Sequence, residues 1–248
     1  MRRQWIVAVC LLVAGAVQAA EIRFSLVRTG QGVASNEYRW RDGAWVVQAP
    51  VDYLAVLIEH QGQRLLFGTG LGRQVDAQLD SVLPWRDKPY GEVRPVRDQL
   101  DADGVRVDQV LLACARWEYA SGLADFPEVP VFASTEGIDY VREATPPAVI
   151  SAQFAHGVQW RSLTFERRPY LGFDESLDLL GDERLVLVKR PGHGALGLFL
   201  RLDDGRRFFF DGDPAEPHAG RTPLPAGILP VRAHEVQAQL GFYPRWIE

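Results

Sequence analysis

Four side chains that could do chemistry lie close together in the stretch ACARWEYASGLADFP. Cys114 offers a thiol, Arg116 a guanidinium, Glu118 a carboxylate and Tyr119 a phenol. A thiol beside an imidazole can act as a nucleophile, and thiolates and carboxylates bind metal ions. A guanidinium has no lone pair for a cation. The stretch therefore places one positive side chain among potential metal ligands.

Three further polar residues follow apolar runs later in the chain. His193 lies within RPGHG, Asp213 within FFFDGD and His234 within LPVRAHE. Asp211 is interpreted as a turn residue, since it follows the apolar run directly. The remaining histidines have no partner at a recognisable spacing and are expected at the surface: His60, His156 and His218.

Short apolar runs predict the strands that must position these residues. They lie at 22–28, 43–48, 53–59, 65–67, 105–112, 129–134, 158–166, 185–189, 195–202 and 206–211. Helical patterns lie at 72–83, 95–103 and 135–144. The turn sequences QGQ at 61–63 and DDG at 203–205 predict hairpins. Strands early and late, with helices between them, predict sheets that are layered with helices outside.

The first twenty residues have the pattern of a secretory signal peptide. They begin with Arg2 and Arg3, continue with an apolar stretch and end with the small residues Ala19 and Ala20. A membrane anchor would need a longer apolar run and a following charge cluster. We therefore expect cleavage near Ala19 or Ala20, a periplasmic or secreted protein, and no membrane span afterwards.

The composition of the mature chain limits its partners and its cysteine chemistry. The 248 residues are 47% apolar and 24% charged, which suits a single domain over 21–248. Cleavage would leave a net charge of about −7, which makes nucleic acid a poor partner. It would also remove Cys10, so Cys114 could form no internal disulfide and must be buried, metal-bound or reactive.

The order of these segments resembles that of the metallo-β-lactamase-fold hydrolases, especially their secreted or lactonase-like branch. The segments are LLFGTGLG, VLLACARWEYASGLADFP, RPGHGALGLFL and RRFFFDGDPAE, together with the stretch at 169–193. The resemblance covers nearly the whole mature chain. It implies an α/β protein with a four-layered αββα sandwich. A phosphate-loop interpretation of LFGTGLG fails, because the Gly-Lys-Ser/Thr ending is missing.

In that family the second segment carries the metal-binding motif His-x-His-x-Asp-His. Matched by position, Cys114 replaces the first histidine, Arg116 the second, Glu118 the aspartate and Tyr119 the third histidine. The resemblance thus implies a degenerate form of the motif.

Two metal-site positions keep the family's residue type. His193 matches the histidine of Pro-Gly-His, and Asp213 matches the metal-bridging aspartate of Gly-Asp. Gly68 replaces the aspartate of the Asp-Thr-Gly loop. His234 lies two residues out of register with the family's final histidine, so its assignment as a ligand stays open.

These replacements disfavour a dinuclear centre. A catalytic zinc needs three protein donors and an open position for water. Cys114 and His193 are too few donors for the first metal, particularly beside a cation, and we expect no cofactor. The alternative is one divalent ion, either zinc, manganese or iron, held by Glu118, Asp213 and His193.

Arg116 offers a substitute for the missing metal charge. Its planar fork could bridge Glu118 and Asp213, and would favour an anionic group in the cleft. We expect a binding or accessory protein that is not a competent zinc hydrolase and that holds a small ligand or a partner's loop. The alternative is a hydrolase of esters or lactones that uses one atypical metal or a Cys114 nucleophile.

Overall fold

The computed structural model describes residues 21–33, 40–41, 44–45, 50–82, 84, 88–146, 148–212, 223–231 and 237–248. The predicted signal peptide, Asp213, His218 and His234 lie outside these ranges. Among the described residues, no helix combines the length and apolar character needed to cross a membrane.

Thirteen strands are found in the described part of the chain. They are β1 (Ile22–Val33), β2 (Trp40–Arg41), β3 (Ala44–Trp45), β4 (Pro50–His60), β5 (Gln63–Phe67), β6 (Gln109–Leu111), β7 (Val131–Ser134), β8 (Trp160–Leu163), β9 (Ser176–Asp178), β10 (Leu185–Lys189), β11 (Leu196–Arg201), β12 (Arg207–Asp211) and β13 (Ile228–Val231). The helices are α1 (Val75–Asp80), α2 (Val96–Ala102), α3 (Trp117–Ala120), α4 (Thr135–Glu143) and α5 (Gln237–Leu240), with 3₁₀ turns at Ser121–Asp125 and Ser151–Phe154.

The strands form two large sheets. The first has the order β1-β4-β5-β6-β7-β8, antiparallel from β1 to β5 and parallel from β5 to β8. The second has the order β13-β12-β11-β10-β9 and is antiparallel except for the β12–β13 pair. A short third sheet pairs β2 with β3.

Alternation along the strands decides which side chains fill the space between the sheets. In β12, Phe208 and Phe210 join the core between the sheets, whereas Phe209 points to the opposite face. In β4, Val56 and Ile58 take the inner face and Leu57 the outer one. Successive side chains of a strand point to opposite faces, so both faces of each sheet are apolar and must be covered.

Helices cover the outer face of the first sheet. Apolar residues of α2, α3 and α4, including Leu100, Ala120 and Ile138, pack against that face. The outer face of the second sheet is covered in the described residues by loop side chains such as Tyr170 and Phe173. The α/β fold class and the two-sheet sandwich are confirmed. The expected outer helix layer is present on the first sheet, whereas no residue of a described helix belongs to the apolar cluster on the outer face of the second sheet.

Most predicted elements are present, and both hairpins are confirmed. The β4–β5 turn uses Gln61 and Gly62, both with positive φ, and the β11–β12 turn contains Gly205. The predicted strand over 105–112 was too long, because only Gln109–Leu111 is a strand. The Val105 amide instead donates to the carbonyl of Leu100 at the end of α2.

The loop between β10 and β11 packs closely against the main chain of α4. Gly194 has φ +72°, and the Ser134 hydroxyl donates to its carbonyl at 3.1 Å. A Cβ at Gly194 would lie 2.2 Å from the amide nitrogen of Gly137, whereas a Cβ at Gly192 would meet nothing within 4 Å. The two glycines share a positive φ and differ in the space around them.

Gly194→Ala should therefore destabilise the protein more than Gly192→Ala. The left-handed conformation alone costs an alanine about 1–2 kcal/mol. The clash with α4 should add to this cost only at Gly194. Urea unfolding of both variants measures the difference. Equal losses would show that the loop does not press on α4.

Candidate functional site

The chemically interesting segments meet at one end of the sandwich. The parallel strands β5, β6 and β7 all end at the same edge of the first sheet. The Leu196 amide, at the start of β11, donates to the Ala113 carbonyl at 2.8 Å. The Gly212 amide, just after β12, donates to the Leu196 carbonyl at 3.0 Å. Loops at the carboxyl ends of parallel strands are common ligand sites, so this end is the candidate cleft.

The LFGTGLG segment forms the tight glycine turn that its sequence predicts. Gly68 has φ +68°, and its amide donates to the Leu111 carbonyl at 2.9 Å. The Thr69 amide and hydroxyl both donate to the carbonyl of Tyr119, at 2.8 and 3.0 Å. The turn therefore holds the end of α3 through the main-chain carbonyl of Tyr119.

Arg116 and Glu118 form an ion pair at the start of α3. Arg116 Nη2 lies 2.7 Å from Glu118 Oε1, and the Arg116 carbonyl accepts from the amides of Tyr119 and Ala120. The arginine side chain is 43% exposed and the glutamate 19% exposed. Glu118 Oε2 is buried and has no hydrogen-bond partner within the described part of the chain. The pair thus has an open arginine and a largely enclosed carboxylate.

Three aromatic rings lie beside this ion pair. Trp117 contacts Tyr53 and Tyr90 with ring centroids 5.6 Å apart in each case. Burial raises the pKa of Tyr53 to about 12, with a further contribution from the negative charge of Glu118. The Tyr53 hydroxyl is therefore neutral over the physiological range, and it donates to the Pro89 carbonyl at 3.5 Å.

Cys114 is buried, with 5% of its surface exposed. The backbone around it is tightly packed, because a Cβ at Gly212 would lie 2.1 Å from the Leu196 carbonyl oxygen and 2.9 Å from that of Ala113. The main chain leading into Asp213 is consequently in contact with the residue that precedes Cys114.

His193 lies at the tip of the loop between β10 and β11. It is exposed, has φ +49°, and stacks on Tyr140 of α4 with ring centroids 4.3 Å apart and planes 17° apart. Its position as a former metal ligand stays a prediction, as does that of Asp213.

The sequence did not indicate a buried ion pair between Arg190 and Asp211. Arg190 Nε lies 3.1 Å from Asp211 Oδ1, with side chains 7% and 8% exposed. The contact is an ion pair and not an aligned hydrogen bond, because Nε lacks hydrogen-bond geometry. Asp211 ends β12, so its assignment to a turn was wrong. Asp211 lies two residues after Phe209, so it is on the same face of β12, and this was the signal in the sequence that it belongs to the strand.

Two of the histidines expected at the surface are only partly exposed. His60 and His156 each have a buried Nδ1 atom. Burial lowers the pKa of His156. Neither residue belongs to a metal-binding group in the described part of the chain.

The described residues do not fit a dinuclear metal centre. Arg116 cannot donate to a cation, and it already binds one oxygen of Glu118. The His193 ring stacks on a tyrosine. Within the described ranges, no three His, Cys, Asp or Glu residues are grouped to hold a metal ion.

Solved structures of similar fold include several hydrolases. AiiA from B. thuringiensis, with N-decanoyl-L-homoserine at its active site, has a TM-score of 0.60 and 10% identity over 76% of this chain and 74% of its own. An N-acyl homoserine lactone hydrolase with its product at a catalytic metal centre has a TM-score of 0.59 and 9% identity over 76% and 74%.

A probable metal-dependent hydrolase from Staphylococcus aureus has a TM-score of 0.53 and 11% identity over 79% of this chain and 74% of its own. No protein-family model and no curated protein sequence match the chain. Identities this low establish the fold and not the activity. The chain shares the layered α/β sandwich fold of these hydrolases.

Proposed function

We propose that this chain is an exported metallo-β-lactamase-fold protein with a degenerate metal site that acts as a binding or accessory protein. The observation that supports this most is the ion pair of Arg116 and Glu118, 2.7 Å apart, at the family's metal-binding motif. The predicted signal peptide supports export.

A guanidinium at this position would supply the positive charge of a metal ion but could not activate a water molecule. It repels a second cation, and it supplies no Lewis acid and no acidified water. Glu118 is 19% exposed, so a positive charge beside it offsets part of the cost of its desolvation. Arg116 provides that charge, and we propose that its fork also reaches Asp213.

The cleft would bind a small anionic ligand or a loop of a partner protein. Arg116 is 43% exposed, so part of the guanidinium faces solvent and can contact a carboxylate or phosphate. Trp117, which is partly exposed and packs on the buried rings of Tyr53 and Tyr90, would provide an apolar surface next to it. The ligand would therefore combine an anionic group with an apolar part.

A second candidate is a hydrolase of esters or lactones. Glu118 Oε2 is buried and has no hydrogen-bond partner among the described residues, so its lone pairs are available to a cation. One zinc, manganese or iron ion could use it together with Asp213 and His193. A Cys114 nucleophile is less favoured, because the thiol is buried.

Metal content separates these two functions. Purified mature protein, incubated with zinc, manganese or iron and then desalted, should retain well below one ion per chain. Added metal should not stimulate hydrolysis of ester or lactone substrates. Elemental analysis provides the measurement. A full ion per chain that is lost in Glu118→Gln, with metal-stimulated hydrolysis, would establish the second candidate instead.

Arg116→Ala should lower the free energy of unfolding by only about 1 kcal/mol or less, because the arginine is substantially exposed. In a Glu118→Gln background, Arg116→Ala should lower the free energy of unfolding by less, because the negative charge that pairs with Arg116 is absent. Urea denaturation of the four proteins gives the coupling. A loss of several kcal/mol would indicate a buried charge network in place of a solvent-facing pair.

The thiol of Cys114 should react with iodoacetamide far more slowly in the folded protein than in urea, because burial excludes the reagent. Cys114→Ser provides the background for the assay. Rapid reaction of the folded protein, with an apparent pKa below the ordinary value of about 8.5, would support the nucleophile.

A further inference from the structure

Gln153 is a fully buried amide whose polar atoms are unpaired. The residue lies in the 3₁₀ turn Ser151–Phe154 and is 0% exposed. Neither Oε1 nor Nε2 has a hydrogen-bond partner among the described residues. Buried polar side chains are normally paired with protein groups or with ordered water, so this amide requires a partner.

Gln78 of α1 presents a second unpaired atom. The residue is 3% exposed, and its Nε2 donates to the Ser121 carbonyl at 3.2 Å. Its Oε1 is buried and accepts from none of the described groups. One half of this amide is therefore satisfied by protein and the other half is not.

The elements that carry the two glutamines pack together. Val75 and Leu79 of α1 belong to the same apolar cluster as Ile150, which precedes the Ser151–Phe154 turn, and Ala152, which lies within it. Ser121 begins the other 3₁₀ turn, and its hydroxyl donates to the Gly70 carbonyl and accepts from the Gly72 amide. We call the meeting point of α1 and these two turns the glutamine junction.

We propose that the glutamine junction is a binding site for ordered water, held by both amide atoms of Gln153 and by Oε1 of Gln78. Water fits this set of groups because Gln153 Nε2 needs an acceptor while both Oε1 atoms need donors. A metal cation cannot accept from the amide, and an anion without a proton, such as chloride, cannot donate to the oxygens. Buried waters typically make about three hydrogen bonds.

The glutamine junction is connected to the segment that carries Glu118. Ser121 directly follows α3, which carries Glu118, and its carbonyl is bonded to Gln78. Water at the junction would complete the polar contacts behind this segment. The inference does not depend on the proposed function, since it concerns groups outside the cleft.

A high-resolution crystal structure of the wild-type protein tests the site directly. We expect density for water within hydrogen-bonding distance of Gln153 Oε1 and Nε2 and of Gln78 Oε1. Direct bonds from the Gln153 amide to protein groups, with no water beside it, would overturn the proposal.

The sign of a stability change provides an independent test. Gln153→Leu should lower Tm, because it removes bonds to water and leaves that water and Gln78 poorly satisfied. Gln63→Leu, at an exposed strand position, is the matched control and should change Tm little. If Gln153 were truly unpaired, leucine would remove a desolvated amide and Tm would rise or stay the same, which would refute the proposal.

If Gln153→Leu fails to fold, nuclear Overhauser contacts between water and the Gln153 side-chain amide protons in the wild type decide the matter. Contacts with the sign of slowly exchanging water would support the proposal. Their absence from an assigned Gln153 amide would count against it.

Discussion

The candidate cleft depends on one backbone link between the two sheets. Leu196 donates its amide to Ala113 of the first sheet's loop and accepts from Gly212 of the second sheet. Gly212 can approach this closely only because it has no side chain, since a Cβ there would overlap the Leu196 carbonyl. Both sheets are also held by apolar burial, but these bonds fix which loops meet.

Two ion pairs between described residues lie at or near the ends of the strands that form the candidate cleft. Arg116 forms a partly exposed ion pair with Glu118. Arg190 forms a buried ion pair with Asp211, at the end of β12 in the second sheet. The two pairs differ in exposure, so their guanidinium groups differ in how accessible they are to a ligand. An exposed guanidinium remains accessible to a ligand, whereas an enclosed one is committed to its carboxylate.

The sequence predicted the fold well because period-two alternation and glycine turns are local signals. The strand at the FFF run of β12 and the turn at QGQ could be predicted from neighbouring residues alone. The strand over 105–112 was overestimated because Val105 is apolar but bonds to the end of α2. Of the candidate site, the Arg116–Glu118 contact was predicted. The Arg190–Asp211 pair was not, because it joins residues across an intervening strand.

The contacts that hold the α3 segment are made largely by main-chain atoms. Thr69 binds the carbonyl of Tyr119, not its ring, and Leu196 binds the carbonyl of Ala113 next to Cys114. Backbone groups are the same whichever side chain is attached. The bonds to the carbonyls of Ala113 and Tyr119 would therefore persist if the side chains at 114, 116, 118 and 119 were exchanged, so the architecture does not by itself prescribe what the cleft does.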